Sequence, residues 1–190
     1  MRTIYKQVVI GSMILAITSL ICFFILRDTN QTLLRKELHS WIGYQFNLKE
    51  DFQLISGDSS LLDRPYKIIM YIDDMGCTSC NLKLREWSNM YKTAFNLIMP
   101  DKISIVILFD GRDAEDMLMI IKSAQWEMPV FWDRDKVINS SRPFPKQARK
   151  RCMLLDEENK VMLVGNPVYS RGVYDLYIEN LAKSRYKKIS

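Results

Sequence analysis

Two stretches of the chain are apolar without polar alternation: Lys67 to Ile72 (KIIMYI), carried by Ile68, Ile69, Met70 and Ile72, and Ile103 to Phe109 (ISIVILF). Runs of this kind predict strands buried on both faces, as in a parallel sheet. Between them Leu84, Trp87, Tyr91, Ala94 or Phe95, and Ile98 recur at spacings of three and four, one face of a helix. Beyond the second run Asp113 predicts an N-cap for a helix from Ala114 to about Ala124, with Met117, Leu118, Ile121 and Ala124 inward. Pro129 to Trp132 (PVFW) reads as a short strand, and the polar, basic, proline-bearing Asp133 to Lys150 as a loop with one helical turn. Cys152 to Leu155 and Val161 to Val164 predict a hairpin around Asp156 to Lys160, closed by Gly165, Asn166 and Pro167. Ser170 then caps a last helix with Val173, Leu176, Tyr177 and Leu181 inward. Strands alternating with helices in this order predict an α/β domain.

Upstream the pattern changes twice. Val8 to Leu26 is 19 residues without a charge, flanked by Arg2 and Lys6 on one side and Arg27 on the other. As a helix it reaches roughly 28 Å, about the thickness of one hydrocarbon core. It is long for the apolar region of a cleaved signal peptide and has no small-x-small site at its end. A lipoprotein signal at Cys22 would place bulky Ile21 before the cysteine and continue the apolar run after it. The reading adopted is an uncleaved signal anchor, a single pass with the C-terminal domain on the periplasmic, extracytoplasmic side of a bacterial inner membrane. Asp28 to Tyr44 follows as a helical stalk with a stripe of Leu34, Leu38, Trp41 and Ile42. Asp51 to Arg64 holds turn residues around Phe52 and Leu54 and accommodates a short edge strand.

Composition adds bounds. With 190 residues, 48% hydrophobic and 26% charged, the chain suits one domain with an appendage. A formal charge of +5 is mild and concentrated in clusters, Lys146 to Arg151 and the tail. Nothing resembles a nucleic-acid-binding stripe with interleaved aromatics. The four cysteines, Cys22, Cys77, Cys80 and Cys152, are too few and too scattered for a disulfide-stapled miniprotein.

Cys77 and Cys80 carry the candidate chemistry. They follow the first buried strand and the turn residues Asp73, Asp74 and Gly76, which predicts Cys77 at the opening of the helix and Cys80 one turn in. Free N–H groups and the positive end of a helix dipole there favour a thiolate. Cys77 is the candidate nucleophile and Cys80 the group that attacks it back.

The order strand, CxxC, helix, strand, helix, strand, hairpin, helix resembles the thioredoxin fold, and in layout the membrane-anchored thiol-disulfide oxidoreductases of the TlpA and ResA kind, within the wider redoxin group. The resemblance spans roughly residues 50 to 185 and rests on IIMYIDDMGCTSC and CMLLDEENKVMLVGNP. It implies a central mixed sheet flanked by helices. The expected division is an anchor at 1–27, a stalk at 28–50 and a thioredoxin-like domain at 51–190. It also implies disulfide exchange through Cys77 and Cys80 without a cofactor or metal, with a disulfide-containing envelope protein as one partner and an upstream thiol electron donor as the other. On that alignment Lys150 and Arg151 stand beside Cys77 and stabilise its thiolate, and Cys152 is a candidate third redox cysteine or a small core residue. The sequence departs from the family at four points. Gly76 replaces the tryptophan before the first cysteine, and no proline lies between the pair. No proline stands near Lys150, where the family's cis-proline falls; and Tyr71 occupies the position six before the first cysteine, where an acidic or amide residue is often buried.

Other chemistry fits the same residues. Met75 to Cys80 matches the MxCxxC pattern of small Cu(I)-binding domains, since two soft thiolates suit that ion. The only histidine, His39, precedes the pair, whereas copper proteins of thioredoxin fold use a later one. A peroxiredoxin-like thiol peroxidase would have threonine where Asp74 stands. An anchored adaptor with a structural disulfide is the non-enzymatic alternative.

Overall fold

The computed structural model describes residues 13, 15–21, 23, 36–73, 82–111, 113–141 and 151–187. The chain forms two compact units, Met1–Ser40 and Trp41–Ser190. In the first, the described residues between 13 and 23 are helical with exposed apolar side chains, and residues 36–40 are helical as well. Much of the expected span from Val8 to Leu26 lies outside the described residues, and among the described ones no helix is long and apolar enough to cross a membrane.

The second unit is built on a sheet of six strands: β1 (Gln53–Ser56), β2 (Tyr66–Ile72), β3 (Ile103–Phe109), β4 (Val130–Trp132), β5 (Cys152–Leu155) and β6 (Val161–Val164), in the order β1-β4-β3-β2-β5-β6. β2 and β3 run parallel with Tyr66 opposite Ile103 and Ile72 opposite Phe109, and β4 lies parallel to β3. A parallel pair needs a crossover. Between β2 and β3 helix α1 (Leu84–Met90) supplies it, passing through a π turn at Tyr91–Phe95 into Asn96–Ile98. Between β3 and β4 the crossover is α2 (Ala114–Ser123), whose N-cap Asp113 accepts a hydrogen bond from the Glu115 amide at 2.7 Å. The outer strands are antiparallel: β1 on β4, β5 on β2, β6 on β5. In the hairpin turn Asp156 Oδ1 accepts from the amides of Glu158 and Lys160, both at 2.9 Å. Helix α3 (Arg171–Lys187) ends the unit. At Gly57 (φ +86°) a Cβ would sit 2.5 Å from the Met128 carbonyl oxygen, so only glycine lets the chain leave β1 there.

Because side chains alternate across a strand, β2 and β3 feed two cores. Ile68, Met70, Ile72, Ile103, Ile105 and Ile107 point to one, filled by Trp87 and Phe95 from the first crossover, Met117 and Ile121 from α2, and Tyr177 and Leu181 from α3. Ile69, Tyr71, Val106 and Leu108 point to the other, joined by Met153 and Leu155 of β5. That second face is covered by a segment without long helices: Trp41, Phe46, Leu48, Phe52 and Leu62. Trp41 stacks on Phe46 (centroids 6.2 Å apart) and meets Tyr44 edge-on at 5.3 Å. Backbone bonds between Gly43 and Val161 (2.8 Å), Val161 and Tyr44 (2.9 Å), and Phe46 and Asn159 (3.0 Å) tie this strap to the hairpin.

The folded unit therefore starts at Trp41, not at Asp51, and the last part of the expected stalk belongs to the core. A sheet buried on both faces needs two covers, and α1, α2 and α3 supply only one. The stripe read through Leu34, Leu38, Trp41 and Ile42 breaks at its end, where Trp41 is buried and Ile42 exposed. Within the stretch read as a loop after β4, Val137–Ser141 forms one short helix, started by Asp133 side-chain bonds to the amides of Val137 (2.8 Å) and Ile138 (3.3 Å); residues 142–150 lie outside the described ones.

Candidate functional site at the carboxyl ends of the parallel strands

Each of the three parallel strands is followed at once by an aspartate: Ile72 by Asp73, Phe109 by Asp110, Trp132 by Asp133. The strands end level because backbone bonds align them, Asp110 N–H donating to the Ile72 carbonyl (3.0 Å) and Asp133 N–H to the Phe109 carbonyl (2.7 Å). Arg151 immediately precedes antiparallel β5 and so reaches the same end, where its carbonyl accepts from the Tyr71 amide at 2.9 Å.

The side chains form a linked series. Arg151 Nη1 lies 2.6 Å from Asp73 Oδ2, both side chains being largely buried (12% and 19% exposed). The Arg151 guanidinium also stands over the Tyr71 ring, 6.0 Å from its centroid. Tyr71 Oη donates to Asp110 Oδ2. Asp110 is buried, and burial pushes its carboxyl above the ordinary carboxylate range; the Tyr71 hydrogen bond and Lys136 pull the other way, while the charges of Asp73 and Asp133 reinforce the rise. The Tyr71 phenol is likewise held neutral, first by burial and then by its bond to Asp110. Asp73 Oδ1 is buried without a hydrogen-bond partner among the described residues.

Of the site residues expected from sequence, Arg151 and Cys152 fall among the described residues, while Cys77, Cys80 and Lys150 lie outside them. Arg151 has a partner that the sequence reading did not assign, the carboxylate of Asp73. Cys152 sits opposite Met70 in the sheet, 2% exposed, and burial pushes its thiol well above the usual cysteine value. Of its two readings, a third redox cysteine or a small core residue, this burial favours the second, since a thiolate is disfavoured in such a core. The sequence pattern marks Asp73 only as a turn residue and Asp133 only as the start of a loop, and it does not single out Asp110. The signal for all three was present, an aspartate directly after each run that predicts a parallel strand. Among the described residues no three His, Cys, Asp or Glu side chains are arranged to hold a metal ion.

The architecture recurs in solved structures. A candidate thiol:disulfide interchange protein, DsbE, from Chlorobium tepidum is similar with a TM-score of 0.52 at 12% identity, over 74% of this chain and 97% of that one. A candidate thiol-disulfide oxidoreductase from Bacteroides vulgatus is similar with a TM-score of 0.50 at 14% identity, over 64% of this chain and 77% of that one. The fold is thioredoxin-like. At such identities the likeness is one of fold, and neither a family model nor a curated protein matches the sequence. Asp73 directly follows β2, and Arg151 directly precedes β5. The Asp73–Arg151 ion pair thus joins the end of β2 to the start of β5.

Proposed function

We propose that the protein is a thiol-disulfide oxidoreductase in which Cys77 and Cys80 exchange a disulfide with a partner protein. The Cys77 thiolate attacks one sulfur of a partner disulfide and releases the other as a thiolate that takes up a proton. Cys80, losing its own proton, then attacks Cys77 and frees the second partner sulfur. The partner is reduced to a dithiol, the Cys77–Cys80 pair is oxidised to a disulfide, and an upstream dithiol returns it to the reduced state.

The observation that carries this reading is the position of the CxxC in the sequence relative to the described strand and helix. It begins four residues after Asp73, on the connection from the buried central strand β2 to α1 of a thioredoxin-like unit. The names of both neighbours above belong to the same chemistry, which supports it further. The uncharged run Val8 to Leu26 supports a membrane anchor of the TlpA and ResA layout, with the redox unit on the extracytoplasmic side and envelope proteins as partners.

The test is a trapping experiment. A Cys80→Ala variant, unable to resolve, accumulates a mixed disulfide through Cys77 with a disulfide-bearing protein, visible by mass and dissolved by dithiothreitol; Cys77→Ala does not. Equal trapping by both variants, or none, refutes the assignment. Retention of one Cu(I) per chain with no reversible two-thiol change would favour the metal-binding reading instead. Protease digestion of spheroplasts addresses the anchor: removal of the redox unit from outside is expected, and full protection contradicts the orientation.

A further inference from the structure

On the face of the sheet that carries the helices, a cleft of about 830 Å³ opens between the first crossover and α2, a volume in the range of small-molecule sites. Tyr91 and Lys92 line one wall, Leu118 and Lys122 the other, and buried Ile105 and Trp126 its depth. The first wall belongs to the π turn, an irregularity found frequently at functional positions in helices. Arg64 holds it in place by donating to the Tyr91 hydroxyl and to the Ile103 carbonyl (2.8 Å). On the second wall α2 ends and Gln125 (φ +51°) turns the chain back, so that Trp126 enters the core with its amide bonded to the Ile121 carbonyl at 3.0 Å. The last carbonyls of α2 are therefore paired, Ile120 with Ala124 and Lys122 with Gln125 as well, and do not confront the cleft as bare acceptors. The Trp126 indole N–H is buried and has no acceptor among the described residues.

Three charged residues line the cleft, Lys92, Lys122 and Glu127, all of them exposed. The lysines come from opposite walls, and neither ammonium makes an ion pair or hydrogen bond among the described residues. Like charges on two walls repel each other unless an anion comes between them. One glutamate against two lysines leaves a single net positive charge, which matches one carboxylate better than a dianion. The apolar depth excludes a ligand charged throughout, because charge buried without partners is costly, and the rings of Tyr91 and Trp126 suit a flat apolar body. We propose that this cleft binds an organic monocarboxylate with an apolar, ring-bearing body, the body against Ile105, Leu118 and Trp126 and the carboxylate between Lys92 and Lys122. The inference is independent of the disulfide-exchange reading. Glu127 and Met128 lead into the start of β4, so the cleft lies toward the amino ends of the parallel strands, whereas Asp73, Asp110 and Asp133 follow their carboxyl ends.

The test titrates 2-naphthoate into the full chain labelled with nitrogen-15 at its four tryptophans and follows the sequentially assigned indole signals by NMR. The Trp126 signal is expected to shift and saturate, while that of Trp41, in the opposite core, stays in place. Lys92→Gln and Lys122→Gln each weaken binding by about two- to fivefold, the worth of one exposed charge pair, and Glu127→Gln strengthens it by a similar factor. All three changes are at exposed positions, and their effects shrink in 1 M KCl, where charges are screened within about 3 Å. The uncharged 2-naphthylmethanol binds more weakly and ignores the lysine substitutions, and the cationic 2-naphthylmethylamine binds most weakly. Leu118→Ala, also at an exposed position, weakens the carboxylate and the alcohol alike. Equal affinity for the three probes shows apolar adsorption only and overturns the inference. So does a shift shared equally by Trp41, or no saturable shift up to the solubility of 2-naphthoate. Inorganic phosphate that displaces 2-naphthoate at equal concentration shows an anion patch without the apolar subsite and overturns it too.

Discussion

Trp41 is where the structure departs most from the sequence pattern, and replacing it tests the consequence. As the last turn of a solvated stalk, Trp41→Ala would cost a few tenths of a kcal/mol. In the structure its side chain is 0% exposed, stacked on Phe46 and covering the face formed by Ile69, Val106 and Met153. Truncating a buried tryptophan costs about 3–5 kcal/mol, part in lost transfer energy and part in the cavity left behind. Phe46, Leu48, Phe52 and Leu62 pack beside it, and backbone bonds together with the Gln45 side-chain bond to the Glu158 carbonyl (2.9 Å) tie the strap to the hairpin, so the surroundings relax into the cavity only in part. For a unit of this size that loss corresponds to a melting temperature lower by roughly 6–20 °C. Urea unfolding followed by circular dichroism measures it, with Ile42→Ala as the neighbouring control, since Ile42 is exposed. A Trp41→Ala midpoint equal to that of Ile42→Ala, both near wild type, would refute the placement of the strap in the core.

Three further outcomes follow from buried polar groups. Asp110→Asn keeps an acceptor for Tyr71 Oη but removes a carboxyl whose pKa is raised by burial. Between the ordinary carboxylate value and that raised one the native state holds a proton that the unfolded chain has released, so stability falls as pH rises through the window. The variant should therefore gain on wild type from pH 4 to pH 7 in urea titrations, and a difference that does not change with pH contradicts this. Cys152, with its thiol pushed up by burial, should resist iodoacetamide in the native protein at pH 8 and react in 6 M guanidinium; native alkylation would place it outside the core. Lys67 is buried and makes one hydrogen bond, to the Arg64 carbonyl at 2.7 Å, and burial lowers its pKa. Its ammonium therefore costs stability below the lowered pKa and stability rises with pH above it, so Lys67→Met should be more stable than wild type at pH 7 in urea unfolding, and a loss of stability would refute the sign.

The elements that were legible in the sequence share a physical cause. ISIVILF and the run around Ile68 and Ile69 are apolar on both faces because both faces are covered, and burial on both sides leaves no room for alternation. Asp113 and Asp156 were legible because caps and turns are satisfied by residues two to four positions away. The strap was not, since Trp41, Tyr44 and Phe46 follow neither a helix nor a strand period, and Trp41 happened to complete a helical stripe. The polar series at the strand ends was only half legible. Arg151 stood out as part of a basic cluster, but its partner Asp73 is distant in sequence and adjacent only through the pairing of β2 with β5. Asp110 carries no sequence signal beyond its place directly after the run ISIVILF. Only the sheet shows that it is buried against Tyr71, which stands six before Cys77, where the resemblance implies an acidic or amide residue.

The most direct test of the account is a redox titration of the full chain against glutathione, reading the thiol state of Cys77 and Cys80 separately from Cys22 and Cys152. The account predicts a reversible two-electron transition in which Cys77 and Cys80 change together while Cys152 stays reduced, abolished by Cys77→Ser or Cys80→Ser. Two thiols that stay reduced at every ratio, or that oxidise independently of each other, would contradict it.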